Sequence, residues 1–264
     1  MKKSKKLKYW GWGYEETTLN KEEIKSLLNK LYKYGIVSSD KRSTPPIESI
    51  NLNKPKIEIP PNLKSISTED KYQRILHSFG QSQPDSIRTF QSDFNHAPDL
   101  VSYPENENDL ITLYDFCEKS NVALIPYGAG SSVVGGVTSD VSSKYNGTIS
   151  VNLSKFNKVL EVDDVSLSAK IQGGIRGPDL EMSLKNYGLT LRHFPQSFEH
   201  STLGGWIATR SGGHFATLYT HIDDLVENIS MISPNGKMNS LRVPGSGAGP
   251  SPDRFMLGSE GSMG

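Results

Sequence analysis

Near its middle the chain reads Val122-Ala-Leu-Ile-Pro-Tyr-Gly-Ala-Gly-Ser-Ser-Val-Val-Gly-Gly-Val137, in which an apolar strand pattern leads directly into a loop of four glycines and two serines. Glycine allows positive φ, so that successive backbone N–H groups can point into one concavity. The hydroxyls of Ser131 and Ser132 add donors to the same space. The stretch therefore predicts a loop that wraps a phosphate group.

Two common phosphate loops do not match this stretch. A P-loop requires lysine after its last glycine, but Val137 follows Gly136. A Rossmann loop requires a small residue where Val133 stands and an acidic ribose ligand roughly 20 residues on, where the next predicted strand offers only Asn152. A turn that merely ends a strand is the remaining alternative, so other parts of the chain must decide.

The loop resembles the pyrophosphate loop of flavoenzymes with the vanillyl-alcohol-oxidase (PCMH) type of FAD domain, whose usual form is Pro-x-Gly-Gly-Gly-Thr-Ser-Val-x-Gly-Gly. Ala129 replaces the middle glycine and Ser131 replaces the threonine, and both substitutions are small. The resemblance implies FAD contacts at Pro126, Tyr127, Gly128, Ala129, Gly130, Ser131, Ser132, Val133 and Gly136.

Three later segments resemble further parts of the same domain, in the family's order. Residues 195–211 resemble its second flavin segment, in which a Ser-Thr-x-Gly-Gly turn starts a helix against the cofactor. Residues 222–237 resemble the strand and hairpin that follow, and residues 257–264 resemble the Gly-Ser-Glu-Gly-Thr-Leu-Gly turn. Four ordered motifs make coincidence improbable. The resemblance implies further FAD contacts at Pro195, Gln196, Ser197, Ser201, Thr202, Gly204, Gly205, Thr209, Arg210, Ser211, Gly212, Glu260, Gly261, Ser262, Met263 and Gly264.

Within these flavoenzymes the chain is most similar to the alkylglycerone-phosphate synthase family and its bacterial relatives. The opening Tyr9-Trp-Gly-Trp-Gly-Tyr14 and the segment from Phe198 to Trp206, followed by Thr209-Arg210, have the form typical of the synthases. Gln196 stands where the eukaryotic enzymes carry Asp, and His200 stands where they carry Phe. These departures favour a bacterial-type relative and leave a different substrate open.

The resemblance implies that a longer parent protein exchanges the acyl group of acyl-dihydroxyacetone phosphate for a fatty alcohol, which forms an ether lipid. It places the catalytic tyrosine and a histidine-rich segment beyond Gly264, so no catalytic residue is assigned here. Two alternatives stay open: an FAD-linked oxidase or dehydrogenase of a 2-hydroxy acid, and a flavin-binding fragment without activity.

The FAD is expected to be non-covalent. Residues Arg210 to His214 read like the Arg-Ser-Gly-Gly-His signature that attaches FAD in some flavin oxidases, but there the signature is the pyrophosphate loop itself. The loop in this chain contains no histidine. His193, His200, His214 and His221 lack the tight local pairing of zinc ligands, so no metal site is expected.

The element patterns predict an α+β fold of two lobes, preceded by a helical and extended N-terminal extension over 1–95. The resemblance implies that the two lobes form a two-lobed PCMH-type FAD-binding domain over 96–264. In the extension, Asn20 and Glu23 form a capping-box pattern, a proline-rich arm follows from Asp40 to Asn62, and a helix is predicted from Thr68 to Phe79.

The small lobe is predicted as β-α-β, with strands at 100–103, 122–126 and 148–153 and a helix at 106–120 that buries Cys117. The larger lobe is predicted as mixed α+β, with strands at 158–162, 167–172, 225–233 and 237–243 and a helix at 178–187. The pairs Asp163-Asp164 and Asp223-Asp224 are interpreted as solvated turn carboxylates.

Composition narrows the partners. Lys+Arg and Asp+Glu both number 29, so no global charge favours nucleic acid. The single cysteine agrees with a reducing, cytoplasmic location. The basic run Lys2 to Lys8 leaves peripheral contact with an anionic membrane open, and a homodimer of the parent stays open too.

The sequence stops inside the last flavin turn, at Gly264. We expect a fragment of a longer product or a remnant, with an unpaired sheet edge where a further strand and a substrate cap would follow. Expressed alone, such a chain is expected to aggregate or to bind FAD weakly, without enzymatic activity.

Overall fold

The computed structural model describes residues 6–36, 43–214, 221–242 and 249–264. Three hydrophobic cores organise these described residues. One lies in a small lobe built on a parallel sheet, and a second lies in a larger lobe of hairpins and helices. The third is formed by Ile50, Ile75, Phe79 and Phe94 of the N-terminal extension. The predicted two-lobed α+β fold is confirmed, whereas the division at residue 95 stays a prediction.

The N-terminal extension begins its regular structure with helix α1, Lys21–Lys33. The Asn20 side chain accepts from the N–H groups of Glu22 and Glu23, and Glu23 accepts from the Asn20 N–H at 2.7 Å, which confirms the capping box. No residue of α1 is fully buried: Ile24 and Leu27 are exposed, and Leu28 and Leu31 are half-buried. In the described ranges no helix is long and apolar enough to cross a bilayer.

The proline-rich arm is packed against the protein where the structure describes it, from residue 43 onward. Short 3-10 turns at Ile47–Ser49 and Pro61–Leu63 interrupt it. Ile50 and Leu63 are buried in separate cores, so this segment is more than a linker. Residues 40–42 of the predicted arm lie outside the described residues.

Two helices stand where the sequence predicts one. Helix α2, Lys71–Leu76, starts at Asp70, whose side chain accepts from the Gln73 N–H, and it ends before the predicted Phe79. Helix α3, Gln83–Phe90, was not predicted. Its signal is the capping box between Ser82 and Asp85, with proline in the first turn.

The small lobe carries a four-stranded sheet in the order β1-β2-β4-β3. Its strands are β1 Ser67–Thr68, β2 Leu100–Ser102, β3 Val122–Tyr127 and β4 Gly147–Asn152. Strands β2, β3 and β4 run parallel, and helix α4, Glu107–Ser120, packs against β3. Parallel pairing places the ends of β3 and β4 side by side, with Tyr127 opposite Asn152.

Cys117 of α4 is buried in this core, as predicted. Burial raises the pKa of its thiol to about 12, which leaves the side chain an inert apolar group.

The larger lobe consists of two antiparallel hairpins and three helices. The hairpins are β5 Val159–Asp163 with β6 Ser168–Ile171, and β7 Ser230–Ser233 with β8 Gly236–Asn239. The helices are α5 Gly177–Lys185, α6 Leu203–Thr209 and α7 Pro252–Met256, with 3-10 turns at Phe198–His200 and Ile222–Asp224. The last predicted strand ends at Asn239, and Val243 lies outside the described residues.

The interpretation of Asp223 as a solvated carboxylate is wrong. Its Oδ2 accepts from Arg210 at 2.8 Å and from Arg254 at 3.1 Å, and the residue is only 6% exposed. Burial by itself raises the pKa of Asp223, but the hydrogen bond from Arg210 and the two positive charges lower it overall. Asp163, by contrast, does cap an exposed turn by accepting from the Val165 and Ser166 N–H groups.

Candidate functional site

The glycine loop, Gly128–Gly136, starts at the carboxyl end of β3. Within the described part of the chain, the backbone N–H groups from Gly128 to Val133 have no protein acceptor. Gly130 has φ +73°, a conformation that lets neighbouring N–H groups converge. Unpaired N–H groups in a partly buried loop require a partner, and an anion supplies one.

Ser132 fixes the far half of the loop. Its Oγ accepts from the Gly136 N–H at 3.0 Å, and its carbonyl accepts from the Gln81 N–H at 2.7 Å. A Cβ at Gly80 would overlap the Ser132 carbonyl, so only glycine allows this close approach of the two backbones. The Ser132 hydroxyl oxygen is thus engaged inside the loop, with its proton left to donate outward.

A buried histidine, His77, packs against Tyr127, the residue that precedes the glycine loop. The sequence analysis did not predict a role for it. The His77 ring lies 4.2 Å from the Tyr127 ring, its Nδ1 is 2.7 Å from the Gln73 carbonyl, and its Nε2 is 2.8 Å from the Asn152 side-chain nitrogen. A carbonyl only accepts, so Nδ1 carries the hydrogen and Nε2 accepts from Asn152. Burial lowers the pKa of His77 to about 4.

The second predicted flavin segment forms the part of the site next to the glycine loop. Thr202 begins α6 by accepting from the Gly205 N–H at 3.3 Å, which confirms the predicted helix start. The Gly204 N–H donates to the Gly173 carbonyl at 2.7 Å. A Cβ at Gly204 would lie 2.9 Å from that oxygen, so the backbones can approach only without side chains. Gly173 had no predicted role.

The predicted segments meet although they are far apart in sequence. A Cβ at Gly128 would lie 2.5 Å from the Thr202 hydroxyl oxygen, so the glycine loop rests on the start of α6. The Glu260 N–H donates to the Ala208 carbonyl at 2.8 Å, which attaches the last turn to the end of the same helix. Burial raises the pKa of the Glu260 carboxyl beside this junction.

A cleft of about 2020 Å³ opens between these segments. Ordinary ligand pockets have roughly 300–1,000 Å³, so the cleft is large enough for a dinucleotide. Its walls include these predicted residues: Pro126, Tyr127, Gly128, Ala129, Gly130, Ser131, Ser132, Val133, Gly136, Gln196, Ser197, Ser201, Thr202, Gly204, Gly205, Thr209, Ser211, Glu260, Gly261 and Gly264.

Five residues of the predicted set are not among the lining residues: Pro195, Arg210, Gly212, Ser262 and Met263. Arg210 turns instead to Asp223 in the ion pair described above. Its role in the structure is to hold the end of α6 to the 3-10 turn at Ile222–Asp224.

Two of the four histidines in the later segments, His193 and His200, lie in different surroundings. His193 is buried with Nε2 at 2.8 Å from the Ser211 hydroxyl, and burial lowers its pKa. His200 contacts Trp12 and Tyr14 of the N-terminal extension. Among the residues that the structure describes, no three His, Cys, Asp or Glu side chains are grouped so as to hold a metal ion.

The residues of the cleft fit the pyrophosphate of FAD. The glycine loop offers free N–H groups and small side chains, and no lysine or arginine lies within residues 128–136. Backbone N–H groups must therefore donate the hydrogen bonds to the anion, and the glycines let the backbone come close enough to do so. The 25 predicted contacts themselves stay a prediction.

A comparison with known families matches residues 98–242 to the model of the FAD binding domain. The match covers more than half of the chain, and the chain belongs to this family of flavoproteins. Within it, the chain is similar to alkyldihydroxyacetonephosphate synthases, and it corresponds to the FAD-binding portion of such a protein.

The synthase of Dictyostelium discoideum is 37% identical over 226 residues, which are 83% of this chain and 36% of that protein. A solved structure of alkyldihydroxyacetonephosphate synthase superposes with a TM-score of 0.84 at 32% identity, covering 97% of this chain and 52% of that one. The glycolate oxidase subunit of Bacillus subtilis is 28% identical over 72% of this chain and 38% of that protein. The chain thus spans about half or less of these relatives.

We predict that Gly130→Ala lowers FAD affinity at least about tenfold while Gly135→Ala does not. Both positions have positive φ, which costs an alanine about 1 kcal/mol of folding free energy at either site. Only a Cβ at 130 overlaps the Tyr127 hydroxyl; a Cβ at 135 has ordinary space. Flavin fluorescence titration of the two purified variants measures the difference, and equal affinities would contradict an anion site in this loop.

We predict that acid destabilises the protein through His77. The folded-state pKa of about 4 lies below the ordinary 6.5, so the unfolded chain binds the proton first and stability falls as pH drops from 6.5 towards 4. The loss reaches about 2 kcal/mol by pH 5. Urea unfolding at pH 7 and pH 5 measures it, and His77→Gln should show a correspondingly smaller pH dependence.

Proposed function

We propose that the chain is the FAD-binding half of an enzyme that exchanges the acyl group of acyl-dihydroxyacetone phosphate for a fatty alcohol. One observation carries the proposal: the separated flavin segments meet at one cleft whose loop presents unpaired N–H groups. The similarity to a solved synthase over 97% of the chain supports the choice of reaction class.

The residues of this chain hold and orient the cofactor in this proposal. The N–H groups of Gly128 to Val133 bind the pyrophosphate of FAD. The segment that contains Thr202 and Gly204 lies against the rest of the FAD molecule. FAD, when bound, supplies an electron-accepting ring that the side chains of the protein cannot replace. The proposal assigns the catalytic groups to a part of the parent protein outside residues 1–264.

The substrate is a lipid-derived phosphate ester, and this makes peripheral membrane association part of the proposal. Within the basic run Lys2 to Lys8, Lys6 pairs with Glu15 and Lys8 donates to the Thr17 carbonyl, so the structural support comes from Ile24 and Leu27, which are exposed on α1. A cytoplasmic location belongs to the same proposal.

A hydroxy-acid oxidase is the second candidate. The similarity to the glycolate oxidase subunit favours it, although at 28% identity it is the weaker of the two. The candidates differ in a measurable way, because an oxidase reduces its flavin with the substrate and the acyl exchange has no net oxidation.

We predict that the flavin is released by acid. The glycine loop contains no histidine or cysteine that could form a covalent flavin bond, and backbone N–H contacts are lost when the chain unfolds. Precipitation of the yellow protein with acid followed by centrifugation should leave the flavin in the supernatant. Colour that stays with the pellet would contradict non-covalent binding.

We predict that the full-length parent converts acyl-dihydroxyacetone phosphate and radiolabelled hexadecanol into an alkyl ether with release of fatty acid. Gly130→Ala in the parent serves as the control with impaired cofactor binding and should lose at least about 90% of the product, given a tenfold or larger loss of affinity at limiting FAD. Anaerobic bleaching of the flavin by glycolate or D-lactate, without ether formation, would instead support the oxidase.

A further inference from the structure

The Trp-Gly-Trp-Gly segment near the N-terminus forms a tight turn. Leu7 pairs with Tyr14 across an isolated antiparallel bridge, and the Lys8 N–H donates to the Gly13 carbonyl at 3.0 Å. Gly11 has φ +62° and Gly13 has φ +91°, conformations that side chains disfavour, so the alternation of tryptophan and glycine has a steric reason. We call residues Leu7–Tyr14 the N-terminal turn.

One side of the N-terminal turn is attached next to the small lobe. The Tyr72 hydroxyl of α2 donates to the Leu7 carbonyl at 2.6 Å. The Trp10 ring lies 6.2 Å from the Phe90 ring of α3, and the Tyr9 ring lies 6.5 Å from that of Phe94. These contacts use the first half of the turn.

The other half of the turn reaches the larger lobe, at the second flavin segment. The Trp12 ring lies 6.1 Å from the His200 ring, and Tyr14 meets the same ring edge-on at 6.0 Å. The Arg176 guanidinium donates to the Tyr14 hydroxyl at 3.3 Å. Partial burial and, second to it, the nearby Arg176 charge lower the pKa of His200, which favours the neutral ring.

The N-terminal turn is also in contact with the cofactor cleft. Trp12 and His200 both line the large cleft, and Trp12 remains 43% exposed. A small cavity of about 40 Å³ separates the turn from Tyr127 and Ala129 on the back of the glycine loop. The turn therefore contacts α2 and α3 beside the small lobe and the second flavin segment of the larger lobe, and only this cavity separates it from the glycine loop.

We propose that the N-terminal turn is a clasp that holds the two lobes together around FAD, with Trp12 as a positioning residue that acts through His200 on the second flavin segment. The inference rests on the proposed FAD site. It gives a function to residues 7–14 that the loop chemistry alone does not require.

The test is a double-mutant cycle on the rate of FAD dissociation. The holoprotein is diluted, and the release of FAD is monitored by flavin fluorescence. Trp12→Ala and His200→Ala should each raise the dissociation rate about fivefold, as expected for loss of an aromatic pair. The double variant should release FAD no faster than His200→Ala alone, because that variant already removes the Trp12 contact together with the Tyr14 contact, whereas independent effects would multiply to about 25-fold. His200→Phe keeps a ring and should behave like wild type.

Tyr34→Ala is the matched control, since Tyr34 is an aromatic residue of the same extension with 83% exposure. The melting temperature of each apoprotein should stay within a few degrees of wild type, which separates a clasp from general destabilisation. Rates for Trp12→Ala equal to those of Tyr34→Ala, or fully multiplicative effects in the cycle, would overturn the proposal.

Hydrogen exchange of the apoprotein separates failure of the clasp from failure of the FAD site. Without FAD, Trp12→Ala should still speed exchange of the amides from Ser197 to Leu203 at least about threefold relative to Tyr34→Ala. If wild type holds no FAD but this exchange changes, the proposed function fails and the clasp stands. Unchanged exchange overturns the clasp whatever the flavin content.

Discussion

The contact between Gly128 and Thr202 is the constraint on which the cleft depends. A single Cβ at 128 would meet the threonine hydroxyl at 2.5 Å, so the glycine loop and α6 can form one surface only with no side chain between them. The same threonine caps α6, which carries the attachment of the last turn at Ala208. The absence of a side chain at this one position therefore allows segments from both lobes to come into contact.

The sequence predictions that agree best with the structure depend on interactions between residues close together in the chain. The strand before Gly128, the capping box at Asn20 and the helix start at Thr202 each depend on residues within a few positions, and the structure confirms them. Helix α3 has an equally local signal, the capping box between Ser82 and Asp85.

Long-range partners were the part that the sequence could not reveal. His77 and Asn152 are 75 residues apart, and no periodicity links them. Asp223 was assigned to solvent because aspartate in a turn is usually exposed, but two arginines from separate segments compensate its burial. Arg210, which the motif predicts as an FAD contact, pairs with Asp223 and is not among the residues that line the cleft. This partner too could not be read from the motif.

The aromatic ring beneath the loop has a consequence for how the positions around it can vary. Any side chain at position 130 would collide with the Tyr127 hydroxyl, and replacement by phenylalanine would not suffice, because the ring carbon behind the hydroxyl lies 2.6 Å from such a Cβ. A smaller residue at 127 would remove the surface against which His77 rests. In this chain the side chains allowed at positions 77, 127 and 130 are therefore sterically coupled, so that the loop and the end of helix α2 behave as one packing unit.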